Sequence, residues 1–154
     1  MKLRAYEMSD LPHLAQLFHD TIHTVNLGDY TAQQVEAWAP LQIDLDCWRQ
    51  KLDAQEAMVA EWHDSIVGFC SWDDTGYLDF LYVHHAFQRK GIASALYGAA
   101  EEAMRSKKLK RVYTQASVTS QPFFLRQNFR IVKRQQVNVR GVDLPNAVME
   151  KLLD

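Results

Sequence analysis

Val83-His-His-Ala-Phe-Gln-Arg-Lys-Gly-Ile-Ala-Ser94 joins an apolar strand pattern, Tyr77-Leu-Asp-Phe-Leu-Tyr-Val83, to a helical pattern that runs from Gly91 to Lys107. That order of elements builds an anion site. Where a helix starts, several backbone N–H groups have no intrahelical partner and the macrodipole is positive, so a phosphate held there is both hydrogen-bonded and charge-matched. Gln88, Arg89, Lys90, Gly91, Ile92 and Ala93 supply those donors. Gly91 has no Cβ to hold a ligand away, Ala93 stays small, Arg89 and Lys90 add positive charge, and Ser94 adds a hydroxyl.

The loop matches neither of two common nucleotide signatures. A Walker loop needs a second glycine followed by Lys and Ser or Thr, and a dinucleotide fingerprint needs three glycines in six positions. Here the pattern is Gln-x-x-Gly-x-Ala, between an apolar strand and a helix. In that setting it resembles the coenzyme A loop of the GNAT N-acetyltransferases. Most of the chain follows the GNAT order of elements. Lys2 to Tyr6 reads as the first strand, Ser9 as an N-cap, and Leu11, Leu14, Phe18, Ile22 and Val25 as one helical stripe. Thr31 caps a second helix that runs through Trp38 and ends at Pro40, and Leu45 to Leu52 forms a third helical piece. Strands are expected over Ala57 to Trp62 and Ile66 to Trp72, joined by a hairpin turn at His63-Asp-Ser65. Asp74-Thr-Gly76 then turns into the strand Tyr77 to Val83. Arg111 to Ala116, Phe129 to Val139 and Leu144 to Leu152 read as the last three strands, with a short helix over Thr119 to Gln127.

The resemblance implies an α+β fold: a mixed, mostly antiparallel, twisted sheet of seven strands with helices on both faces, splayed between the fourth and fifth strands. Residues 1–154 are expected to form one domain. Tyr30-Thr-Ala-Gln-Gln-Val-Glu-Ala-Trp38, Gly91-Ile-Ala-Ser-Ala-Leu96 and Pro122-Phe-Phe124 look closest to a small bacterial subgroup of the YafP type.

For function, the resemblance implies acetyl-CoA as co-substrate and acetyl transfer to a primary amine of a small molecule or peptide, by direct attack on the thioester. The backbone around Leu81 to Val83 is expected to hold the pantetheine arm and to present an N–H where negative charge develops on the carbonyl. A general base must accept the amine's proton, and Asp79 is the candidate, because strand alternation puts it beside Tyr77 and Leu81 on one face. The alternative is a structural carboxylate at a strand end. One motif departs from the family. Many members carry Asn-x-x-Ala-x-x-Phe-Tyr-x-x-x-Gly-Phe, in which the tyrosine protonates the departing thiolate. Here Ser117 replaces the Asn, Phe124 the Tyr, and Asn128 the Gly, at a place where Asn tolerates the left-handed conformation. Ser117 and Phe124 are still expected to line the coenzyme. Leaving as a bare thiolate at pH 7 costs roughly 2 kcal/mol for a thiol of pKa about 8.5, so the reaction survives without that donor. Tyr30 and Tyr82 are substitute acids in principle. The amine pocket maps to His23 through Trp38 and Arg140 to Asn146, with Tyr30, Trp38 and Trp72 as stacking faces and Asp29 and Glu36 as attractors of positive charge.

Composition bounds the rest. With 47% hydrophobic residues the chain can build one core, and a formal net charge of -2 argues against a general nucleic-acid surface. No apolar run approaches a membrane span, and the N-terminus enters a strand directly, so a cytoplasmic protein is expected. Cys47 and Cys70 do not make a disulfide framework. Two rivals remain. His19-Asp-Thr-Ile-His23 has the spacing of a helical zinc motif, but the wheel sends both rings toward solvent and no third ligand is marked, so no metal is expected. A non-catalytic acyl-CoA sensor would also explain the missing tyrosine. A homodimer is common in the family, through a sheet edge or the last strands.

Overall fold

The computed structural model describes all 154 residues, Met1 to Asp154. Strands β1 (Lys2–Ala5), β2 (Glu56–Trp62), β3 (Ser65–Trp72) and β4 (Leu78–Val83) form an antiparallel sheet in that order. Strands β5 (Arg111–Ser117), β6 (Arg130–Val139) and β7 (Val142–Leu152) form a second antiparallel sheet in the order β5-β7-β6. The seven expected strands are therefore two sheets, and the splay between β4 and β5 is the seam between them. At one end of the seam the sheets are stitched together. Tyr77 and Tyr113 form a parallel bridge, the Tyr113 N–H donates to the Gly76 carbonyl at 3.0 Å, and Thr114 Oγ1 donates to the Leu78 carbonyl at 2.8 Å. Gly76 is required there. Its φ is +95°, and a Cβ would lie 2.2 Å from the Arg111 carbonyl oxygen, so any side chain would force the strands apart.

Helices α1 (Leu11–Thr24) and α4 (Ile92–Ser106) cover opposite faces of the first sheet. Leu11, Leu14 and Leu17 pack with Val59, Phe69 and Phe80, while Ile92, Leu96, Tyr97 and Met104 pack with Val67, Cys70, Trp72 and Leu78. Each fully buried Leu or Ile contributes about 1.5–3 kcal/mol, so these two faces hold the sheet in place. The α1 stripe is wider than the sequence pattern suggests: Ala15, Leu17 and Thr21 are buried as well, whereas Val25 is only half-buried.

Ser9 is not the cap of α1. Asp10 occupies that position, because its carboxylate is already drawn in by the Arg4 guanidinium (two bonds of 2.8 Å) and by the Glu7 N–H (2.8 Å), which folds Met8–Asp10 into a 3-10 turn ahead of the helix. By contrast, Thr31 caps α2 (Ala32–Trp38) as expected. The Gln34 N–H donates to Thr31 Oγ1 at 3.1 Å and the Gln34 side chain accepts from the Thr31 N–H at 2.9 Å. Helix α3 spans Leu45–Asp53 and the short α5 spans Gln121–Arg126. The β2–β3 hairpin turns at His63 and Asp64, both with positive φ, and the β6–β7 hairpin turns at Arg140 (φ +49°) and Gly141 (φ +82°). Asn128 is left-handed, at φ +69°.

Candidate active site

From the end of β4 the chain makes a 3-10 turn at His85–Phe87 and passes through Gln88, Arg89 and Lys90 to Gly91, which stands at the N-cap of α4 with φ +82°. The first hydrogen bond of the helix runs from the Ala95 N–H to the Gly91 carbonyl at 3.0 Å. The amides of Ile92, Ala93 and Ser94 thus precede it and are free to meet a ligand. A Cβ built on Gly91 would have no atom of the protein within 4 Å, so the glycine faces open space that a side chain would enter. Arg89 and Lys90 are exposed and neither pairs with a carboxylate, and Arg89 is itself left-handed at φ +59°. This donor set fits a diphosphate. Two side chains of the loop serve the fold: Gln88 Nε2 donates to the Val83 carbonyl at 2.6 Å and fastens the loop to β4, and Ile92 is buried in the core, which leaves their backbone for a ligand. Ser94 Oγ accepts from Gln127 Nε2 at 3.3 Å.

Alternation fails at Asp79. Ser71 pairs with Phe80 and Trp72 with Leu78, so Asp79 is the extra residue of a β-bulge in β4. The bulge turns Asp79 to the side of Phe80 and Tyr82, while Leu81 packs against the core on the α4 side; the expected grouping of Asp79 with Leu81 on one face is therefore corrected. The Asp79 side chain is 12% exposed, and its Oδ2 accepts from Gln55 Nε2 at 2.9 Å with Lys51 Nζ at 3.6 Å. Oδ1 makes no hydrogen bond within the chain. Asp79 opens into a cavity of about 400 Å³ that lies between β4, the ends of β5 and β7, and the first three helices. Its wall is aromatic: Phe18, Tyr30, Trp38, Trp48, Phe80 and Tyr82. Its charged groups are Asp79, Lys51 and Arg140, and Ser117 and Asn146 stand at the seam.

The expected acceptor pocket holds in part. Tyr30, Trp38, Arg140 and Asn146 line the cavity. Trp72 does not: it is 4% exposed and sits in the α4-side core, because alternation along β3 groups it with Cys70 on that face. Asp29 and Glu36 are exposed and lie outside the cavity lining. The contribution of α3, through Cys47, Trp48 and Lys51, was missed, although Trp48 and Lys51 share a helical face by their i, i+3 spacing. Tyr30 is a clamp, since its hydroxyl donates to the Pro145 carbonyl at 2.6 Å and accepts from the Val118 N–H at 2.9 Å, and burial raises its pKa. Burial also pushes the Tyr82 phenol well up, and the Tyr77 phenol up to about 12 with the Asp79 charge adding to the effect. Ser117 Oγ accepts from the Ser120 N–H at 3.1 Å and closes the turn into α5. Phe124 is 3% exposed, its ring 5.2 Å from that of Phe123 and 5.0 Å from that of Phe129, so it belongs to the core. His19 and His23 stack at 4.2 Å and are half-buried, not solvent-facing, with His23 Nε2 bonded to the Ala39 carbonyl at 2.7 Å.

Comparison with known proteins gives a consistent picture. Residues 26–152 match the model of the acetyltransferase (GNAT) domain. The chain is 34% identical over 149 residues to the uncharacterized N-acetyltransferase YafP of Escherichia coli K12, covering 97% of this chain and 94% of that protein. It superposes at a TM-score of 0.95 on a GCN5-related N-acetyltransferase from Rhodopseudomonas palustris, with 28% identity over 99% of this chain and 95% of that one. A third neighbour is YncA of Salmonella typhimurium, whose structure holds its cofactor acetyl-CoA. It matches at a TM-score of 0.71 and 18% identity over 100% of this chain and 94% of its own.

Proposed function

The chain belongs to the GNAT family of acetyltransferases, and we propose that it moves the acetyl group of acetyl-CoA to a primary amine, with Asp79 as the general base. One observation carries this reading. The bulge in β4 delivers a largely buried carboxylate into an aromatic cavity on the same strand that leads, a few residues on, into the free amides of α4. The amides of Ile92, Ala93 and Ser94, with Arg89 and Lys90, would hold the phosphates of the coenzyme, and the backbone of β4 around Leu81 to Val83 would hold its arm in the seam.

Acetyl-CoA supplies an acyl group activated as a thioester. The amine nitrogen attacks the carbonyl carbon, the new C–N bond forms as the C–S bond breaks, and coenzyme A leaves as the thiolate. Asp79 takes the proton from nitrogen, directly or through one water. Gln55 and Lys51 hold Oδ2, so Oδ1 is the oxygen that faces the task. The aromatic wall gives the body of the acceptor an apolar surface to pack on. Phe124 offers the sulfur no proton and the Tyr30 hydroxyl is spent on two backbone groups, which leaves the Tyr82 phenol, in the cavity wall, as the remaining acid, or departure as the bare thiolate.

The test is a calorimetric titration with acetyl-CoA followed by an amine panel that records thiol release. One acetyl-CoA per chain is expected, with about 2.7 kcal/mol of added stability at one hundred times the dissociation constant. No binding at millimolar ligand would overturn the reading. The buried phenylalanine at position 124 favours a second reading, a sensor that binds acyl-CoA without turnover. Binding without thiol release from any amine would select it.

A further inference from the structure

The charges around the cavity do not balance. Asp79 is the one carboxylate in the lining, and Lys51 already stands 3.6 Å from it. Arg140 is left without a counter-charge. Its Nη1 donates to the Ala37 carbonyl at 2.7 Å, a neutral group in the last turn of α2 where helix carbonyls lack partners, and it makes no ion pair. A guanidinium has five N–H donors, so most of this one is still unspent. Arg140 stands at the exposed rim of the cavity, in the first left-handed position of the two-residue turn between β6 and β7, and the Ala37 bond holds its guanidinium against α2. Asp143, the acid nearest in sequence, accepts from Asn138 Nδ2 at 3.0 Å, and neither it nor Asp29 or Glu36 lines the cavity.

A second, independent observation lies deeper. Asn146 lines the same cavity, and its Oδ1 is buried with no hydrogen-bond partner. An unmet buried acceptor calls for an N–H donor. The lining therefore carries two kinds of polar group, Asp79 and Asn146 Oδ1, which accept, and Arg140, which donates and is positive, among side chains that are largely aromatic.

We infer that the acceptor is an amine that also carries a carboxylate, joined by an apolar or aromatic body: the amine lies at Asp79 and Asn146 and the carboxylate on Arg140. The inference rests on the acetyl transfer proposed above and narrows its substrate class. It reverses the expectation of a simple cationic amine. A polyamine would bring its second positive charge against Arg140, whereas a carboxylate meets a planar fork of matching geometry.

The experiment compares matched acceptors on the wild-type protein: the free acids of phenylalanine, tryptophan and leucine, their carboxamides, phenethylamine and spermidine. Initial rates of thiol release at saturating acetyl-CoA give kcat/KM for each. The free acids should exceed their carboxamides and phenethylamine by at least about 10-fold, the size of one charge-assisted contact. Carboxamides are a stringent control, because their less basic amines are more neutral at pH 7. The variant Arg140→Gln should raise KM for the free acids about 10-fold and leave that for the carboxamides within about twofold, while Arg140→Lys should recover part of the loss. Carboxamides, phenethylamine or spermidine as the better acceptors would overturn the inference and leave acetyl transfer standing. Acetyl-CoA binding with no thiol release from any amine would overturn acetyl transfer itself, and this inference with it.

Discussion

The anion loop is drawn from seven consecutive residues, Gln88 to Ser94, whereas the cavity against the same strand takes its wall from α1, α2, α3, β4 and the β6–β7 hairpin. The first is local, and its chemistry is backbone chemistry: free amides, a left-handed glycine and two unpaired cations. The second is assembled from distant parts of the chain, and its chemistry is carried by side chains that the fold must aim. A local site survives changes elsewhere in the molecule and fails by single substitutions within it. An assembled site can be retuned wall by wall, and depends on every element that holds a wall in place.

The sharpest way to break that contrast is Gly91→Glu. Several kcal/mol of repulsion from a bound phosphate should lower acetyl-CoA affinity by at least roughly 100-fold. The space around Gly91 is open, so the thermal midpoint should fall only by the left-handed strain of about 1–2 kcal/mol, a few degrees. Calorimetry and a melting curve on the same sample check both halves, and unaltered affinity would remove the loop as the phosphate site. Next comes Asp79→Asn, which should cost roughly 100-fold in kcat while acetyl-CoA affinity stays within about twofold, as expected for a base that acts on the amine alone. Full turnover in this variant would rule Asp79 out.

Smaller effects sharpen the picture of the assembled site. Tyr30→Phe strands the Pro145 carbonyl and the Val118 N–H, and should lower stability by about 1–2 kcal/mol with a larger proportional loss in acceptor KM than in acetyl-CoA affinity. Equal losses at both sites would blur the distinction between them. The smallest effect is on acid stability. The Arg4 guanidinium holds the Asp10 carboxyl below its usual pKa, so the stability this pair gives is complete above the unfolded value of about 4 and fades as pH falls through the lowered folded value. Asp10→Asn should flatten the fall of the thermal midpoint below about pH 4 relative to wild type. An unchanged slope would show that α1 is seated without this carboxylate.

The same division explains what could be read from the chain. The loop, the helix after it, the Thr31 cap and the left-handed Asn128 all rest on residues within a few positions of one another, and each stands as the local chemistry dictates. Ser9 misled because the competing acceptor, Asp10, is chosen by Arg4 on β1, a contact across the turn. Asp79 was placed on the wrong face because a period of two counts every residue once, and a bulge adds one that the pattern does not announce. The part played by α3 follows from that slip, since Asp79 and Phe80 on one side open the cavity toward α3, whereas Trp72 obeys the ordinary alternation of β3, which groups it with Cys70 in the core.

Gly76 gives the molecule the mechanics of a clothes-peg. The two sheets are pinned where Gly76 meets the backbone of Arg111 and Tyr113, and they part toward the other end, where a coenzyme arm would wedge between the jaws. A wedge at the jaw loads the pivot, and this pivot is a main-chain contact with no room for even a methyl group. The jaws can thus be re-lined in sequence with little effect on the hinge, while the hinge admits almost no change.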